Sequence, residues 1–177
     1  MMKNIYKYFS EINKLNEIVR TGWVIRNVPL ERRESVGEHI FTMALLTLSI
    51  IDKYNLDKKL NIEKVLKMIL IHELGEIDVG DIALPNAEQA KQKYIGELNC
   101  VNRICDVLEE DWMLDLWKEF EEKKTEEALF VYKMDKLQAV MQARYYSEII
   151  NDDNATFDDF YSNALDKCSE YLEIAQK

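Results

Sequence analysis

The stretch Leu70-Ile71-His72-Glu73-Leu74-Gly75-Glu76-Ile77-Asp78-Val79-Gly80-Asp81-Ile82 starts at the end of an apolar run. It then holds one of the chain's two histidines and four carboxylates within ten residues. Ionisable side chains at the end of a buried helix are costly unless each has a partner. The residues upstream, from Ile62 to about Gly75, are apolar on most sides (Val65, Leu66, Met68, Ile69, Leu70, Ile71), which predicts a buried helix carrying His72 and Glu73 near its end. Gly75 and Gly80 punctuate the segment downstream, predicting a last turn and a loop over Glu76 to Ala83.

The other histidine lies in a similar setting. Ser35 followed three residues later by Glu38 is a capping-box pattern, and it opens a helix to about Tyr54 that is apolar on nearly every side (Val36, Ile40, Phe41, Met43, Leu45, Leu48, Ile50, Ile51). That composition predicts a helix central to a bundle, with His39 in its first turns. Three-and-four spacing predicts further helices over Asn4 to Arg20, ended at Thr21-Gly22, from Pro85-Asn86 to about Glu109, Trp112 to Glu122, Thr125 to Ile150 and Phe157 to Ala175. Trp23 to Glu34 reads as irregular, and Asn151 to Thr156 as a turn. No alternating strand pattern and no repeat is present. The expectation is an all-α helical bundle in a single domain over residues 1–177.

Composition narrows the function. A net charge of −10 argues against nucleic acid as a general partner and against an anionic membrane surface, since both need concentrated positive charge. Four of the six arginines (Arg20, Arg26, Arg32, Arg33) nevertheless fall in one short segment, where they can serve a small anion. The three cysteines show no CxxC pairing, Met1-Met2-Lys3 does not open a signal peptide, and no apolar run reaches membrane-spanning length. These features predict a reduced, cytoplasmic protein, with Cys100 and Cys105 as core thiols.

Because the two histidines sit on the two most apolar helices, which are expected to pack together, they can share a site. Glu73 adjoins His72. Asp135 interrupts a helix otherwise lined by Phe130, Val131, Met134, Leu137 and Met141, though with Lys133 and Lys136 beside it a solvated position also fits. Two imidazoles and two carboxylates would complete a ligand set for one divalent transition metal ion (Mn, Co, Zn, Fe or Ni) with room for water. A zinc-peptidase HExxH motif fails, because Glu76 stands where its second histidine belongs. Glu76 and Asp81 exceed one metal's needs; they are either solvated turn residues or groups that orient water and carry a proton. Trp23 beside Arg26 is a flat side chain next to a cation, suited to a nucleoside and its phosphate.

His39, then His72 with an acidic neighbour, then the distant Asp135 resembles the H…HD…D signature of the HD-domain metal-dependent phosphohydrolases. Arg20 through Val28, Glu34 through His39, His72 through Ile82 and the stretch from Leu116 to Ala143 resemble the 5'-deoxynucleotidase branch of that family, over roughly residues 10 to 165. The resemblance implies an HD-type helical bundle that releases phosphate from nucleoside 5'-monophosphates, deoxyribonucleotides above all. It implies His39, His72, Glu73 and Asp135 as metal ligands, Glu76 and Asp81 as catalytic carboxylates, Trp23 and Arg26 at the substrate, and a homodimer. Other HD chemistries, on a phosphodiester or a triphosphate, and a nucleotide-binding domain without catalysis share the same residues. One position departs from the signature: its Asp is Glu73 here, one methylene longer, which displaces the carboxylate by about 1 Å.

Overall fold

The computed structural model describes residues 2–150 together with Ala155 and Phe157. Among them the chain is all-α. In order come α1 (Met2–Asn13), α2 (Thr21–Ile25), α3 (Val36–Tyr54), α4 (Ile62–Ile71), α5 (Glu76–Val79), α6 (Ala87–Leu108), α7 (Trp112–Glu122) and α8 (Glu126–Ile149), with 3-10 turns at Lys14–Asn16, Leu30–Arg32 and Leu56–Lys58. The extended pairing among the described residues is an isolated antiparallel bridge between Val19 and Ser35. No helix among them is long and apolar enough to cross a membrane.

Local chemistry sets the helix starts. The Ser35 hydroxyl accepts the Glu38 N–H at 3.2 Å while the Glu38 carboxylate accepts the Ser35 N–H at 2.7 Å, completing the expected capping box of α3. Asn86 and Gln89 do the same for α6, and Thr125 caps α8. Asn55, Glu109 and Lys123 take left-handed backbone angles where α3, α6 and α7 end. The core then assembles from α3, α4, α6, α7 and α8, with Met43, Met68, Ile69, Ile104, Trp117 and Met134 fully enclosed. Apolar area removed from water at about 25 cal/mol per Å² makes this cluster the main source of stability. Cys100 and Cys105 are free thiols buried in it.

Four expectations change. The first helix stops at Asn13 instead of Arg20, and its Ile5 and Phe9 are more than half exposed. Thr21-Gly22 begins α2 instead of ending α1. The cause is distant in sequence: the Asp81 carboxylate accepts both the backbone N–H and the hydroxyl of Thr21, which turns the chain there. Helix α4 ends at Ile71, so His72 is its C-cap, and the last turn expected at Glu76 is a separate short helix, Glu76–Val79, ahead of the expected loop. Helix α3 is not enclosed on all sides, because Phe41, Leu45 and Leu48 form an exposed apolar stripe. The helix expected over Phe157 to Ala175 and the turn before it lie outside the described residues, apart from a buried Phe157.

Candidate metal centre and active-site cleft

His39, His72, Glu73 and Asp135 converge from α3, the end of α4 and the middle of α8. One potential ligand atom from each lies within 4.8 Å of the others. The imidazole rings are 5.6 Å apart, and Phe120 packs edge-on against His72 at 5.2 Å. Both histidines and Asp135 are buried.

The outer hydrogen bonds of the rings decide which nitrogen faces the cluster. His72 Nδ1 donates to the Ile69 carbonyl at 2.7 Å. His39 Nδ1 is 2.7 Å from Gln138 Oε1, and the Gln138 amide nitrogen donates to Glu34 Oε1 at 2.6 Å and to Thr42 Oγ1 at 3.0 Å. With its nitrogen committed to a carboxylate, Gln138 presents its carbonyl oxygen to His39, so His39 Nδ1 carries the proton. Both Nε2 atoms then bear lone pairs. Both are buried without a hydrogen-bond partner, aimed at Glu73 and Asp135. Orphaned buried nitrogens are costly, and a metal ion is the group this donor set fits. Burial, against the pull of Glu73, lowers the His72 pKa and keeps the ring neutral, as ligation requires.

The carboxylates are held ionised. Burial opposes the charge of Glu73, the Arg20 guanidinium 3.0 Å away favours it, and its pKa lies below the usual range. Burial opposes the charge of Asp135 too, while Lys136 at 2.7 Å and Arg20 favour it, and its pKa lies below the usual range. Arg20 is the shared cation: its Nη1 is 3.0 Å from Glu73 and 3.9 Å from Asp81, and its Nη2 is 3.9 Å from Asp135. Glu73 therefore reaches both the cluster and Arg20.

A cleft of about 410 Å³ opens beside the cluster, and Trp23, Arg26, Glu73, Glu76, Asp81 and Asp135 all line it. Glu76, at the start of α5, is 1% exposed. Burial, reinforced by Glu73, pushes its pKa up to about 9, so it holds a proton at neutral pH. Asp81 follows Gly80, whose φ of +75° suits glycine, and its Oδ2 is tied to Thr21. The Thr21 hydroxyl also accepts the Ala83 N–H at 2.9 Å, so the segments around residues 21 and 81 form one unit. Arg26 caps α2 and donates to the Gly22 carbonyl at 2.9 Å. Trp23 is only 2% exposed: its indole N–H donates to Glu34 Oε2 at 3.1 Å and its ring stands edge-on to Tyr146 at 5.0 Å. It is a wall of the cleft, not a projecting platform.

All eight sequence candidates thus belong to one region. Sequence reasoning did not single out Arg20, Lys93, Gln138 or Glu34. Gln138 was within reach, since it lies three residues after Asp135 on the same face of α8. Lys93 was not, because nothing in α6 announces that α5 packs on it.

The HD domain family model matches residues 12–175 of the chain. A protein named 5'-deoxynucleotidase HDDC2 from Mus musculus is 31% identical over 175 residues, covering 97% of this chain and 83% of the relative. The protein of the same name from Dictyostelium discoideum is 36% identical over 154 residues, covering 83% and 80%. Among solved structures, a conserved hypothetical protein from Pyrococcus furiosus superposes with a TM-score of 0.75 at 32% identity, covering 97% of this chain and 96% of that one.

Proposed function

The chain belongs to the HD-domain family, and on that footing we propose that it is a metal-dependent phosphohydrolase releasing phosphate from nucleoside 5'-monophosphates, deoxyribonucleotides above all. Its relatives carry the name 5'-deoxynucleotidase at 31% and 36% identity. The observation that carries the reading is the pair of bare histidine Nε2 atoms meeting Glu73 and Asp135 beside a cleft lined by Arg20, Arg26, Lys93 and Lys136. The four cations stand among four carboxylates of the same lining, Glu73, Glu76, Asp81 and Asp135, so the cleft is close to balanced in charge within a protein of net charge −10.

His39, His72, Glu73 and Asp135 would hold one divalent transition metal ion. The chemistry such an ion supplies when bound is Lewis acidity toward a phosphoryl oxygen and toward water, whose pKa falls to about 7. The chain's own residues do the rest. Arg26 and Arg20 bind phosphate oxygens, and Trp23 walls the nucleoside. Asp81, fixed by Thr21, orients the attacking water. The water oxygen bonds to phosphorus, and the bond from phosphorus to the 5'-oxygen breaks. The proton held on Glu76 passes to that departing oxygen, and a proton from the water restores Glu76.

A single domain and a homodimer form part of the same proposal. The family resemblance supports the dimer, and a second copy would cover the Phe41, Leu45 and Leu48 stripe; the mass in solution tests it. The free thiols Cys100 and Cys105 support a reducing, cytoplasmic setting.

The deciding experiment is metal analysis of the purified protein, followed by phosphate release from matched deoxyribonucleoside and ribonucleoside 5'-monophosphates. Release from the deoxy series, abolished by chelator, is expected. A metal-loaded protein that releases no phosphate from any of them would overturn the reading.

A further inference from the structure

We propose that Lys93 is a positioning residue for Glu76, and that Glu97 anchors it in turn. The inference rests on the reading of Glu76 as the proton donor. Lys93 stands on α6, and its Nζ is 2.8 Å from Glu76 Oε1 and 3.3 Å from Glu97 Oε1. Lys93 and Glu97 are one helical turn apart, so the anchor and the ammonium share a rigid face of a 22-residue helix. Glu76, in contrast, opens a helix of only four residues, which by itself fixes little.

The contact is directional. Lys93 takes one oxygen of Glu76, while Oε2 is buried and has no hydrogen-bond partner. A carboxyl pinned through one oxygen presents the other in a fixed direction, which a proton donor to a leaving group requires. Lys93 also lines the cleft, so the pin lies within the site.

Two glycines set the distance. A Cβ on Gly75, just before Glu76, would stand 2.3 Å from Glu97 Cβ and 2.8 Å from its Cα. A Cβ on Gly96, just before Glu97, would stand 2.4 Å from Val79 Cγ1. Neither glycine has room for a side chain, so the two helices meet closely next to the two carboxylates that Lys93 joins. This approach delivers Lys93 to Glu76.

The test is steady-state kinetics of Lys93→Met and Lys93→Arg on the deoxynucleoside monophosphate the wild type hydrolyses, with metal content and melting temperature measured alongside. Lys93→Met is expected to lower kcat by about 100-fold, the order of loss that misplacing a reacting group by about 1 Å produces, with KM and metal content nearly unchanged. Lys93→Arg, which keeps the charge and the reach, should recover at least a tenth of the wild-type kcat. Glu97→Gln leaves Lys93 on Glu76 with a weaker anchor and should lower kcat by about tenfold. It decides alone if Lys93→Met does not fold. A kcat within threefold of wild type in Lys93→Met, a loss carried by KM as for a phosphate-binding lysine, or no recovery in Lys93→Arg each overturns the inference. An inactive wild type or an active Glu76→Gln instead overturns the reading beneath it.

Discussion

His39 Nδ1 and Gln138 Oε1 lie 2.7 Å apart in a buried contact between α3 and α8. This one hydrogen bond sets the tautomer of His39 and leaves its Nε2 lone pair facing the carboxylates. Replacing Gln138 with Leu keeps the volume near and removes the acceptor. Metal affinity is expected to fall 10- to 100-fold, the usual effect of losing an outer partner of a ligating histidine. Titration calorimetry with Mn²⁺ or Co²⁺ measures it.

Glu76 gives a prediction in which activity and stability move in opposite directions. In the unfolded chain it ionises near 4.5, and in the folded protein only near 9. Between those values the unfolded state holds fewer protons, so the stability contribution of Glu76 falls as pH rises through that window. Glu76→Gln removes this penalty. The variant should lose most turnover yet keep its metal, and unfold at higher denaturant than wild type at pH 8, by on the order of a few kcal/mol. At pH 4 the difference should vanish. Urea titrations at the two pH values check the sign.

Arg20 is the cation common to Glu73, Asp81 and Asp135. Arg20→Met leaves these carboxylates partly desolvated without it. Breaking a buried ion pair from one side costs about 3–5 kcal/mol. The loss should be largest in chelator and shrink when Mn²⁺ is added, because a bound cation replaces part of the missing charge. Melting curves in EDTA and in excess metal make the comparison.

Gly75→Ala must push α5 away from the α6 backbone, since the nearest obstacles include Glu97 Cα at 2.8 Å. Overpacking of this kind costs about 1–3 kcal/mol. Gly96→Ala meets only the Val79 side chain and should cost less. Denaturant midpoints of the two variants should fall in that order.

Features governed by neighbours along the chain were legible in the sequence. The Ser35–Glu38 capping box is local, and so is the apolar periodicity that places His39 and His72 on buried helices. Asp135 was only a candidate, because a mid-helix Asp between lysines suits solvent equally well until α3 is packed against it. Features governed by distant partners were not legible. The start of α2 depends on Asp81, which captures Thr21 from 60 residues away. Lys93 reads as an ordinary polar position of α6 until two glycines bring α5 down upon it, and Trp23 reads as a stacking surface until Glu34 and Tyr146 hold it in the cleft wall.

The four convergent side chains are also unevenly spread along the chain. His39, His72 and Glu73 lie in its first half, while Asp135 and the Gln138 that orients His39 both stand on α8. A chain cut before α8 would therefore lose one carboxylate of the cluster and, with it, the group that fixes the His39 tautomer.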